Sequence, residues 1–128
     1  MAFRQTPLIM CLALTLLGTG GAAHAQDAAA GERLFRARCA SCHAVESGQN
    51  RIGPSLSGVI GRKAGSLEGA RYSQGMRALD VTWDAAQLDT YLANPRAMVP
   101  GTTMTVSVTS AADRAAITGY LQTLSQPK

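Results

Sequence analysis

Cysteine, histidine and lysine are scarce in this chain, and their scarcity excludes several kinds of site. Three cysteines and two histidines occur among 128 residues. Cys11 and His24 fall in an N-terminal stretch that reads as an export signal, so only Cys39, Cys42 and His43 remain beyond it. A closed four-ligand zinc site built from Cys and His is out of reach with that set. A disulfide framework is excluded too, because a bridge from Cys39 to Cys42 would close a loop too small to stabilise much. A thioredoxin-type redox pair needs a βαβ setting, and no such pattern is visible. Lysine occurs only at positions 63 and 128 and no arginine run replaces it, so nucleic acid is not an expected partner. Beyond the N-terminus no apolar stretch approaches membrane-spanning length.

The N-terminus carries Arg4, then an apolar run over residues 8–17, then Ala23-His24-Ala25. The run is too short to span a bilayer, and the small-x-small triplet is what signal peptidase reads. The expectation is a signal peptide over residues 1–25, cleaved after Ala25; an uncleaved anchor is the alternative. The remaining chain, 26–128, forms one domain with a formal charge of +3 once Arg4 is lost. It has no integral membrane segment. A domain of this size buries a modest core and benefits from a cofactor within it.

Three segments read as helices. The first spans 28–39, with Asp27 as N-cap and Gly31, Leu34 and Phe35 on or near one face. The second spans 84–93, where Asp84 and Gln87 have capping-box spacing and Asn94-Pro95 ends the stripe of Leu88, Tyr91 and Leu92. The third spans 111–124 behind Ser110 and buries Ile117, Tyr120, Leu121 and Leu124. Between the first two lies an irregular stretch, 44–80, that holds seven glycines. It also carries Ile52, Leu56, Val59, Ile60, Leu67 and Tyr72, too much apolar surface for a disordered linker. The simplest reading is a loop wrapped around a large apolar ligand.

Cys39-Ala40-Ser41-Cys42-His43 identifies that ligand. C-x-x-C-H is the signature of c-type haem attachment. Two thiols one turn apart can each add to a haem vinyl group, and the adjacent His43 supplies the proximal imidazole to the iron.

Around this motif the chain resembles class I cytochromes c, the single-haem bacterial and mitochondrial-type electron carriers. The resemblance runs from about Ala30 to Leu124. It rests on RIGPSLSGVIGRKAG over 51–65, Tyr72-Ser73, Val81-Thr82-Trp83, YLANPRAMVPGTTM over 91–104 and Gly119-Tyr120-Leu121. It implies an all-α cytochrome c fold, with three or more helices and long loops around one covalent haem. It also implies site residues. Pro54 would accept the ring N–H of His43 through its carbonyl; Arg62, Tyr72 and Trp83 would surround the inner haem propionate; and Tyr91 would lie near the axial sulfur. Met104, after Pro100-Gly101-Thr102-Thr103, would be the sixth iron ligand, leaving Met76 and Met98 as packing residues. Trp83 and Tyr72 also read as ordinary core aromatics, and Arg62 as a surface charge.

Two positions depart from the pattern. Thr103 stands where many relatives carry lysine, within a docking ring whose other lysines are also missing. Met76 stands where many mitochondrial relatives have a polar residue. The expected function is single-electron transport in the periplasm between transient redox protein partners, by a monomer that is not an enzyme. Rival readings are an electron-entry subunit of a larger oxidoreductase and an open-site catalytic or gas-binding haem protein.

Overall fold

The computed structural model describes residues 20–125, with side chains from Asp27 onward. The expected signal peptide therefore lies almost wholly outside the described residues. Five helices follow one another: α1 (Gly20–Arg38), α2 (Gln74–Ala78), α3 (Ala85–Ala93), α4 (Pro95–Met98) and α5 (Ala111–Thr123). Among the described residues there is no strand, only an isolated antiparallel bridge between Lys63 and Thr82. This is the expected all-α arrangement. No described helix is long and apolar enough to cross a membrane.

The helices at 84–93 and 111–124 begin as their caps dictate. Asp84 Oδ1 accepts the Gln87 amide at 2.7 Å and Ser110 Oγ accepts the Asp113 amide at 3.2 Å. The first helix differs from expectation: it starts at Gly20, and Asp27 lies inside it rather than capping it. Residues 21–30 contain six alanines and no proline, so nothing in the sequence breaks the helix before position 28. Two short helices are additional. Ser73 caps α2 by accepting the Met76 amide at 3.1 Å. Asn94-Pro95 ends α3 as expected but also starts α4, with Pro95 at the first position and Asn94 Oδ1 accepting from Ala97 at 3.2 Å.

Helices α1 and α5 cross at Gly31. A Cβ there would come within 2.8 Å of Tyr120 Cβ and collide with the Ala116 carbonyl, so only glycine permits this approach. One turn on, Phe35 meets Tyr120 with ring centroids 5.6 Å apart. Phe35, Leu88, Leu92, Val108, Ile117 and Leu121 form the buried centre, joined by Trp83, Tyr91 and Val59. The stretch 44–80 is folded back on the rest of the chain by backbone bonds. Gly53 N–H donates to Cys42 O at 2.8 Å, and Ala64 N–H to Val81 O at 2.9 Å. Gly61 N–H donates to Trp83 O at 2.7 Å and Trp83 N–H to Arg62 O at 2.9 Å, which sets Arg62 beside Trp83.

Candidate haem site

The C-x-x-C-H segment continues α1 as a tight turn. Cys42 and His43 both donate their amides to the Cys39 carbonyl, at 3.0 and 2.9 Å. That turn sets two free thiols one turn apart, with Cys39 buried and Cys42 half-buried. Burial pushes the Cys39 thiol up; Arg38 opposes the shift and Cys42 adds to it. Burial thus favours the neutral thiol form of Cys39.

His43 follows with its ring clamped. Nδ1 is 2.7 Å from the Pro54 carbonyl oxygen. A carbonyl only accepts, so Nδ1 carries the proton and Nε2 keeps its lone pair. Burial holds the imidazole below its ordinary pKa; the Pro54 bond opposes this and the Arg62 charge reinforces it. The ring is therefore neutral and ready to ligate a metal. Gly53 makes the clamp possible: a Cβ at that position would lie 2.8 Å from His43 Nδ1 and 2.9 Å from Nε2.

Cys39, Cys42, His43 and Pro54 line one cavity of about 180 Å³. Arg62, Tyr72, Trp83, Tyr91 and Met104 line it too, so every residue expected at the haem borders the same space. Its apolar wall comes from Phe35, Leu56, Val59, Leu88, Leu92, Val108, Ile117 and Leu121. Met76 also borders it, whereas Met98 is not among the lining residues. Arg62 donates to the carbonyls of Ser57 at 3.3 Å and Ser55 at 2.8 Å, which leaves part of its five-donor fork for another acceptor. Tyr72 accepts the Leu67 amide at 3.3 Å and retains its own O–H for donation. Trp83 is buried against Tyr91, with centroids 5.3 Å apart.

Three features of the site escaped the sequence reading. Arg38 and Arg71 also line the cavity, giving three arginines and no carboxylate among its lining residues. Ile52 and Val106 are the exposed large hydrophobics among the described residues, 77% and 38% exposed, and both border the cavity. Thr102 Oγ1 is 3.0 Å from the Tyr91 hydroxyl and accepts the Met104 amide at 3.3 Å. Only the last had a local signal, the Pro-Gly-Thr-Thr turn before Met104. The whole set suits a flat apolar macrocycle with two carboxylates: paired thiols, a neutral imidazole, a thioether, an apolar wall and cationic donors.

Comparison with known proteins agrees with this chemistry. The sequence model of the family described as Cytochrome c matches residues 28–125. A cytochrome c-type cyt cy of Rhodobacter capsulatus is 46% identical over 99 residues, covering 77% of this chain and 49% of that protein. The chain thus spans about half the length of that relative. Cytochrome c-554 of Methylosinus trichosporium is 44% identical over 104 residues, 80% of this chain and 78% of that one. Cytochrome c2 iso-2 of Magnetospirillum fulvum is 45% identical over 87 residues, 67% and 91% of the two chains. The chain belongs to the cytochrome c family, whose members are electron carriers with one covalently bound c-type haem and its iron.

Proposed function

We propose that the protein is a periplasmic single-electron carrier, exported through a signal peptide over residues 1–25 and active as domain 26–128. Cys39 and Cys42 would hold the haem, His43 and Met104 would be its axial ligands, and the protein would carry out no substrate chemistry. The observation that carries the reading is the His43 clamp: a neutral imidazole with Nδ1 on Pro54, set in the turn that holds both thiols. When bound, the haem supplies a one-electron Fe(II)/Fe(III) couple. The chain's own part is to exclude water with the apolar wall, to fix the imidazole tautomer through Pro54, and to offer Arg62, Tyr72 and Trp83 to a propionate. An otherwise unpaired buried carboxylate would be costly.

Met104 is favoured over Met76 because Met76 lies within α2 as part of the buried apolar cluster. Met104 instead lies in an irregular segment, half-buried, right after the Pro100-Gly101-Thr102-Thr103 turn. With His43 and Met104 on the iron, no position would be left for a substrate, and the exposed Ile52 and Val106 at the cavity would offer a small apolar contact to transient redox partners.

The test is a visible spectrum in both oxidation states, with mass spectrometry after acid-acetone extraction. The mature chain should retain one haem mass, and the oxidised protein should be low-spin with a weak red-edge sulfur-to-iron charge-transfer band that Met104→Ala abolishes. Haem that extracts cleanly, or a high-spin protein that binds carbon monoxide readily, refutes the reading. Gel filtration of native extracts should show a small monomer; elution with a large complex would indicate an electron-entry subunit.

A further inference from the structure

Met104 lies in a segment with no regular structure, so something outside it must fix where its sulfur sits. The entry end is tied to α3 by Thr102 Oγ1 and the Tyr91 hydroxyl, 3.0 Å apart. The exit end is tied to the same turn of α3. Val108, fully buried, donates its amide to the Leu92 carbonyl at 2.8 Å. The carbonyls of Val108 and Thr109 both accept from Arg114 Nη1, at 3.0 and 2.9 Å. Arg114 Nε in turn donates to Asp89 Oδ1 of α3 at 2.7 Å, and the Arg114 side chain is only 13% exposed. One guanidinium thus joins the first turn of α5, the exit of the Met104 segment and the middle of α3.

We propose that Arg114 is the positioning residue of the axial thioether. It fixes the exit end of the segment against α3, so that Met104, held between two anchors on one helical turn, cannot drift from the iron. The proposal rests on Met104 being the sixth ligand. A planar fork suits the role, because it directs separate N–H groups at the two carbonyls and the carboxylate at once. Lysine can keep the charge opposite Asp89 but cannot reproduce that fork. Loosening the anchor should raise the population in which sulfur has left the iron, without touching the thioether bonds.

The experiment uses the haem-loaded protein with Arg114→Gln, Arg114→Lys and Asp89→Asn. Ser125→Ala is the control, since Ser125 Oγ accepts from Ile60 N and donates to Leu121 O, both outside the Met104 segment. Imidazole, which competes with the axial sulfur for ferric iron, is titrated in each, and the unfolding midpoint is measured alongside. Arg114→Gln should tighten imidazole binding about tenfold, as expected when a charge-assisted bond of this class is lost. Arg114→Lys and Asp89→Asn should fall between it and wild type. Ser125→Ala should lower the midpoint and leave imidazole affinity unchanged. The proposal is overturned if Arg114→Gln binds imidazole like wild type, or if Ser125→Ala tightens binding equally at equal loss of stability. Met104→Ala separates the two ideas: a surviving charge-transfer band removes the ligand assignment, whereas a lost band with an unresponsive Arg114→Gln removes only the role of Arg114.

Discussion

Replacing Gly53 by alanine tests the His43 clamp without replacing either proposed ligand. The added Cβ would lie 2.8 Å from Nδ1 and 2.9 Å from Nε2, well inside van der Waals contact. The ring has nowhere easy to go, because Nδ1 is held 2.7 Å from the Pro54 carbonyl and the histidine backbone is fixed by its bond to Cys39. Overpacking of this kind costs about 1–3 kcal/mol, and the lost hydrogen bond about 1 kcal/mol more. The sum, roughly 2–4 kcal/mol, should lower the thermal midpoint of the haem-loaded protein by at least about 8 °C. The potential should move as well. The Nδ1–H bond to Pro54 makes the imidazole a stronger donor, which favours ferric iron. Weakening it should therefore raise the reduction potential while stability falls. Thermal unfolding followed at the Soret band, with spectroelectrochemistry on the same sample, reads both. An unchanged midpoint would show that the loop moves aside at no cost. A lowered midpoint with an unchanged or lower potential would show that the Pro54 bond does not tune the ligand.

Four further outcomes are expected. Met76→Leu should keep the charge-transfer band and lose less than about 1.5 kcal/mol in denaturant unfolding, since the swap conserves volume at a packing site; a lost band would make Met76 the ligand. Tyr91→Phe should cost about 0.5–1.5 kcal/mol through the lost bond to Thr102. Burial raises the Tyr91 pKa, an effect that the Thr102 bond opposes, so its stabilisation is complete below pH 10.0, the unshifted value, and is lost above it. The phenylalanine variant should lack that part of the alkaline decline in a pH series of unfolding midpoints. Ile52→Glu should slow electron exchange with redox partners severalfold while leaving the spectrum intact, because it puts a carboxylate on the apolar rim of the cavity. Wild-type exchange should fall only modestly with added salt, and a steep fall in stopped-flow rates would instead assign docking to the arginines at the cavity.

The parts of the fold legible in the sequence were those with local causes. Helices α3 and α5 begin where Asp84 and Ser110 cap them, and both caps are side-chain bonds three residues long that a sequence displays directly. α2 was not legible, because a single turn has no periodicity to read, and Ser73 before Gln74-Gly75-Met76 looks like loop. α4 was hidden by ambiguity: proline ends the preceding helix and also suits the first position of a new one, and the sequence alone does not say which role is used. The early start of α1 reflects the alanine-rich, proline-free run over residues 21–30, which gives the helix no stop before position 28.

The site divides along the same line. His43 and the thiols are adjacent in sequence, so their chemistry was visible in five residues. The contacts that shape the rest of the site are not local: Pro54 is eleven positions from His43, and Arg114, which ties the segment after Met104 to α3, is twenty-five from Asp89. Such contacts are decided by how the loop 44–80 and the segment after Met104 fold back onto the helices. They entered the reading only where a resemblance supplied them, as for Pro54, and were absent where it did not, as for Arg114. The cationic lining was missed for a related reason. Arg38, Arg62 and Arg71 are spread over thirty-three positions and form no run, so a chain of mild overall charge gathers three guanidinium groups at one cavity without any charge pattern in the sequence. Net charge bounds long-range steering, but the local field at this site is set by the fold.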